Sequence, residues 1–176
     1  GLYQWLPEPD TFRFFPITLP ESAGMDEALI LNKFSEAADG TFWLFPAIYQ
    51  RGYAIHFDPE TGTYQVVSDE DYWFGNYVEK GPASEELWFG ARPGKGELTI
   101  FNTRTRRLKT VDIQVDGLNF LVSNRIESML RDRSGNMWIA IVEGGLLKFD
   151  PMRNNFHWLR FQPENANSLS HSAVNG

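Results

Sequence analysis

The sequence predicts an all-β chain made of β-propeller blades, each a sheet of four antiparallel strands. Three observations predict this fold: a motif that recurs along the chain, turn residues between short apolar runs, and an aromatic content of 15%. About three complete blades are expected, with partial blades at both ends. A β-sandwich also has short strands and frequent turns, but it does not require matched residues in successive units.

One half of the repeat runs from a glycine to a phenylalanine. Residues 1–12 align without a gap to residues 145–156, which lie 144 positions later. Weaker copies start at Phe57 and Phe101, which precede Phe149 by 92 and 48 positions. A period of roughly 44 to 48 residues is typical of propeller blades.

The other half of the repeat is centred on a tryptophan. Trp43 and Trp88 precede Trp138 by 95 and 50 positions, and each lies in an apolar run that follows turn residues. The three side chains are predicted to hold one structural position and to pack between neighbouring sheets. These offsets differ from those of the first half, which places the length differences in a surface loop between the halves.

The last copy predicts the four strands of a blade in order. Residues 124–132 largely alternate in polarity and lead to a turn at Ser134-Gly135, as in a hairpin. Residues 136–142 are nearly all apolar, which predicts a buried inner strand. Gly145 is expected to adopt a positive φ and to turn the chain into a third strand over residues 146–149.

A second turn and the outer strand complete this blade. Asp150-Pro151 begins the turn, and Phe156 begins an outer strand over residues 156–161. A helix-like run at residues 25–31 occupies the place of an innermost strand and is predicted to be one. Applying the repeat to the whole chain predicts a single propeller segment. It comprises the end of a blade at 1–20, blades at 26–68, 70–115 and 120–163, and the start of another blade at 165–176.

Composition excludes several classes of protein. A net charge of −7 disfavours nucleic-acid binding. No apolar stretch of about 18 residues and no signal peptide is present, so no membrane contact is expected of this segment. The absence of cysteine excludes disulfides, thiolate metal sites and cysteine nucleophiles.

No catalytic, metal or cofactor site is predicted. His56 and His157 are placed in or beside outer strands, and no histidine has a second ligand at metal-binding spacing. The serines around His171 lack a nucleophile elbow. The paired acids Glu85-Glu86 and the basic residues at 104–109 are interpreted as exposed turn and hairpin residues.

The densest aromatic group lies at residues 72–77. Tyr72, Trp73 and Tyr77 could stack on sugar rings, whereas packing within a blade explains them more simply, as it does Phe74. The first three are retained as candidate ligand contacts.

The last copy and the segment after it resemble the two-component regulator propeller repeat, found in sensor domains of hybrid two-component histidine kinases, typically from Bacteroidetes. The resemblance rests on these residues: Asn124, Ile126, Asp132, Gly135, Trp138, Gly144, Gly145, Leu146, Phe149, Asp150, Pro151, Phe156 and the run Asn167-Ser168-Leu169-Ser170-His171. In that family these residues build blades and do not contact ligand.

The resemblance implies a non-catalytic sensor in the periplasm that responds to a ligand, often an oligosaccharide. The earlier copies depart from the pattern at Ala37-Ala38 and Asn102-Thr103. That departure leaves open a polysaccharide-acting lyase or hydrolase propeller, or a protein-interaction scaffold. The expected partners are an oligosaccharide, the rest of a parent propeller and, through the incomplete end blades, further copies of the segment.

Overall fold

The structure is a computed structural model that describes residues 1–20, 30–46, 52–69, 74, 77–90, 97–115, 118–119 and 126–173. Every regular element among these residues is a β-strand, and the described strands include three sheets of four consecutive antiparallel strands. The all-β prediction is confirmed. The chain divides into two compact units, residues 1–73 and 74–176. In the described part of the chain, no helix has the length and apolar character needed to cross a membrane.

Unit 1 contains a hairpin and one four-stranded sheet. The hairpin pairs β1 (Leu2–Leu6) with β2 (Thr11–Phe15). The sheet has the order β3-β4-β5-β6, with β3 (Leu31–Glu36), β4 (Phe42–Pro46), β5 (Gly52–Phe57) and β6 (Tyr64–Asp69). Residues 21–29, which hold most of the run predicted as an innermost strand, lie outside the described residues.

Unit 2 contains two four-stranded sheets joined by a short two-stranded one. The first runs β7 (Val78–Lys80), β8 (Glu86–Phe89), β9 (Glu97–Asn102) and β10 (Arg107–Asp112), and the short sheet pairs β11 (Gln114–Val115) with β12 (Leu118–Asn119). The second runs β13 (Ile126–Arg131), β14 (Met137–Ile141), β15 (Gly145–Asp150) and β16 (Asn155–Leu159). The predicted outer strand at 156–161 thus begins and ends slightly earlier than expected.

The sequence repeat is reproduced in the strand pairing. At the aligned positions the same cross-strand pair forms in the hairpin and in all three larger sheets: Trp5 with Phe12, Phe57 with Tyr64, Phe101 with Leu108, and Phe149 with Phe156. The turn beside each pair has a positive φ at one repeat position: Asp10 (58°), Gly62 (74°), Arg106 (57°) and Asn154 (50°). These residues are separated by the same offsets of 144, 92 and 48 that the sequence shows. The hairpin therefore corresponds to the two outer strands of a blade.

Each unit has its own apolar core. In unit 1, Phe15 of the hairpin packs with Leu44, Ile55 and Phe57 of the sheet. In unit 2, Trp88 of one sheet lies 5.1 Å from Phe149 of the next, measured between ring centroids. Successive sheets of unit 2 therefore pack through residues at fixed repeat positions, as blades do.

The segment that follows β16 folds back onto the last sheet. Phe161 and Leu169 form a parallel bridge, and the backbone N–H of Gly145 donates to the carbonyl of Ser172 over 2.9 Å. Gly145 has a φ of 80°, which confirms the predicted positive value.

Candidate ligand-binding site

A cavity of about 420 Å³ opens in unit 1 between the hairpin and the four-stranded sheet. The hairpin contributes Leu2, Gln4 and Phe15, and the sheet contributes aromatic side chains such as Phe42 and Phe57. A concave, largely apolar space with few polar groups is the usual form of a small-molecule site. The cavity is therefore the candidate binding site of the described residues.

Lys33 is the charged residue among those that line this cavity. It is 8% exposed, and burial lowers the pKa of its amine from the ordinary 10.5. No carboxylate among the described residues forms an ion pair with it. Burial disfavours the charged form of an amine, because part of its hydration is lost.

The repeat does not require a lysine at this place. A β-bulge between Leu31 and Lys33 is matched by one between Ile126 and Ser128, so that Ser128 holds the equivalent position 95 residues later. Bulges redirect side chains and are common beside functional sites. Lys33 thus departs from the blade pattern at the one residue that gives the cavity its charge.

We expect replacement of Lys33 by methionine to stabilise the protein by about 1 kcal/mol at pH 7, because a similar volume is kept and a charge that burial disfavours is removed. The pKa of Lys33 is lowered in the folded state, so its penalty is full below the folded pKa and is relieved as the pH rises from there toward 10.5. Urea melts from pH 7 to 10.5 should show the gap between variant and wild type narrowing. A less stable variant at pH 7 would show that Lys33 has a compensating partner.

The acids of the tryptophan turns have structural tasks. The carboxylate of Asp132 accepts from the indole Nε1 of Trp138 over 2.8 Å, from the side-chain amide of Asn136 over 3.0 Å, and from two backbone N–H groups. These bonds, that from Trp138 first, lower the pKa of Asp132 to about 2. In the first sheet of unit 2, Glu86 accepts from the Nε1 of Trp88 over 3.1 Å.

Asp132 should therefore influence stability in acid. Its folded pKa lies below the ordinary 3.8, so its stabilisation is present above 3.8 and is lost as the pH falls toward about 2. We expect Asp132→Asn to lower the melting temperature at pH 7, with the difference from wild type disappearing between pH 3.8 and about 2. Glu164→Gln, at an exposed side chain, is the control. A difference that persisted below pH 2 would show that the carboxylate charge is not the cause.

His56 lies beside the outer strand β6, as predicted, but its side chain does not have the ordinary exposed position expected of an outer-strand residue. It lies in β5, an inner strand, and is half-buried, with its ring stacked on Trp43 at 4.6 Å between centroids. The Nε2 atom of His56 lies 2.8 Å from the hydroxyl oxygen of Thr41, which lies 2.6 Å from Asp39. Because a carboxylate only accepts, the threonine donates to Asp39 and the histidine donates to the threonine. This polarity cannot activate Thr41 as a nucleophile.

Two ion pairs lie on the surface of unit 2. Glu85 contacts Arg104, and Glu86 lies 2.9 Å from Lys109. Arg104 and Lys109 are 75% and 59% exposed. Within the described residues, no group of three or more His, Asp or Glu side chains is placed to hold a metal ion.

Of the aromatic candidates, Tyr72 and Trp73 lie outside the described residues. Tyr77 is half-buried against the core of unit 2. Phe74 is buried, with its ring centroid 4.8 Å from that of Phe89. The described members of the group therefore pack, and the cavity around Lys33 was not anticipated from the sequence.

These blades are β-propeller blades, and comparisons with known proteins identify the repeat. Residues 121–142 match the two component regulator propeller family model. The chain therefore carries that repeat, and the resemblance drawn from the sequence is confirmed. A search of curated proteins returned no match.

Solved structures show the same fold at low sequence identity. The extracellular domain of a one component system from B. thetaiotaomicron aligns with a TM-score of 0.62 and 16% identity over 99% of this chain and 22% of that one. PorZ, a surface component of the type-IX secretion system of Porphyromonas gingivalis, gives 0.65 and 12% over 97% of this chain and 25% of that one. A luciferin-regenerating enzyme aligns with a TM-score of 0.51 and 11% identity over 74% of this chain and 46% of that one. The chain thus spans about a quarter of the length of the first two.

Proposed function

We propose that the chain is a non-catalytic, ligand-binding propeller segment of a hybrid two-component signalling protein and that it lies in the periplasm. The repeat at residues 121–142 supports the signalling class. The fold shared with an extracellular domain supports a position outside the cytoplasm.

The cavity with Lys33 is the observation that carries ligand binding. Its aromatic side chains provide apolar surfaces for the faces of a sugar ring, and Lys33 is the charged residue of its lining, suited to an anionic group. A carbohydrate with a carboxylate group satisfies both. We therefore propose an acidic oligosaccharide as the ligand class.

Isothermal titration calorimetry with a short oligogalacturonate and a neutral oligogalactoside of equal length tests this proposal. The wild type should bind only the acidic sugar, and Lys33→Met should weaken that binding at least tenfold. Lys80→Met removes the same charge from an exposed side chain and should leave binding unchanged. Equal binding of both sugars would contradict the role of Lys33, and binding of neither would contradict a carbohydrate ligand.

A second candidate function is a protein-interaction module. It is favoured by an exposed aromatic face on the hairpin, where Tyr3 and Phe12 are 70% and 65% exposed. Contiguous apolar surface of this kind marks interaction sites in soluble proteins. An enzyme needs an activated catalytic group. The carboxylate of Asp132 accepts structural hydrogen bonds, and the direction of the hydrogen bond between His56 and Thr41 does not activate the threonine.

A further inference from the structure

The hairpin of unit 1 carries aromatic side chains on one face. Tyr3 pairs with Phe14 and Trp5 pairs with Phe12, and these four residues define the hairpin face. They are 51 to 70% exposed, and the rings of Tyr3 and Phe14 lie 4.8 Å apart. Alternation along both strands places all four on the same side.

The last sheet shows what such a face does when it is covered. The residues 144 positions later are Leu147, Phe149, Phe156 and Trp158, paired in the same register. Leu147 is fully buried and Phe149 is 8% exposed, against the ring of Trp88. Phe156 and Trp158 pack against the same cluster. This face therefore receives the tryptophan of a neighbouring blade.

The complementary surface lies on the other side of the last sheet. Trp138 holds the repeat position of Trp88 but is only half-buried. Leu130 pairs with Trp138 and is 62% exposed. The ammonium of Lys148 lies 5.4 Å from the ring centroid of Trp138. These three residues define the Trp138 face. Among the described residues of unit 2, it presents a blade-docking tryptophan to solvent.

We propose that the Trp138 face of one copy packs on the hairpin face of a second copy, with Trp138 against Trp5 as Trp88 packs against Phe149. The two faces have complementary charges. The positive Lys148 lies beside Trp138, and the carboxylate of Asp10 accepts from the Nε1 of Trp5 over 3.3 Å. Two different faces meet, so the contact is heterologous and joins copies head to tail. Tyr3 lines the ligand cavity as well as the hairpin face, but Trp5, at the centre of the proposed contact, does not line the cavity.

Sedimentation velocity on the 176-residue chain over a range of concentrations tests the contact. The wild type should associate, and Trp5→Lys and Trp138→Lys should each be monomeric. An equimolar mixture of the two variants should form a one-to-one dimer, because each keeps the face that the other lacks. Met152→Ser changes an apolar side chain that is 92% exposed elsewhere and should associate like the wild type.

A charge exchange keeps the test valid if Trp138→Lys fails to fold. Lys148→Glu should weaken association at least fivefold, and mixing it with Asp10→Arg should restore it. Arginine suits position 10 because Arg106 has the same positive φ at the equivalent place. A concentration-independent wild-type monomer would overturn the proposal. The proposal would also be overturned if Trp138→Lys still self-associated while Trp5→Lys did not. That result would indicate a contact between two hairpin faces.

Discussion

Replacing Trp88 with alanine is expected to destabilise unit 2 by about 3 to 5 kcal/mol, the usual range for a large aromatic side chain removed from a core. Trp88 is 4% exposed, packs on Phe149 and donates to Glu86 over 3.1 Å. The substitution leaves a cavity between two sheets. It also removes the indole N–H that donates a hydrogen bond to Glu86. Denaturant melts followed by near-ultraviolet circular dichroism measure the change.

Trp138→Ala is the matched comparison, because Trp138 has the same repeat position and is only half-buried. Its loss should cost about half as much, since less apolar surface returns to water. Equal losses for the two variants would show that Trp88 does not lie between two packed sheets.

Replacing Gly145 with alanine should cost about 3 kcal/mol or more, because two penalties add. A φ of 80° is unfavourable for any residue with a Cβ atom. That Cβ would also collide with the backbone carbonyl oxygen of Leu159 and would lie 3.2 Å from the Cα of Arg160. Neither backbone group can move without disturbing β16.

Gly135→Ala separates the two penalties. Gly135 has a φ of 85°, but its nearest neighbour would be the Nη2 of Arg131 at 3.9 Å, an ordinary contact. It should therefore cost about 1 kcal/mol, from backbone strain alone. Thermal melts of both variants provide the comparison, and equal effects would remove the steric explanation for Gly145.

The repeat made most of the fold predictable from sequence. The offsets of 144, 92 and 48 locate the same cross-strand pair and the same positive-φ turn residue in each copy, because hairpin geometry is set by local residues. The positive φ of Gly145 was predictable for the same reason. Local signals therefore sufficed for strands and turns.

The candidate site was not predictable from local signals. Lys33 has the appearance of an ordinary polar residue of a strand. The cavity that it lines forms only where the hairpin, about 20 or more residues away in sequence, packs on the sheet. The stacking of His56 on Trp43 likewise depends on strand pairing. The difference in burial between Trp88 and Trp138 depends on which sheet faces each ring, which identical repeat positions do not reveal.

The two four-stranded sheets of unit 2 stack as propeller blades through fixed repeat positions. A double-mutant cycle between Trp88 and Phe149 measures this contact directly, using Trp88→Ala, Phe149→Ala and the double variant in urea melts. The predicted coupling free energy is about 0.5 to 1.5 kcal/mol, as for packed aromatic pairs. A coupling free energy of zero would show that the two rings do not touch and would contradict the stacking of these sheets.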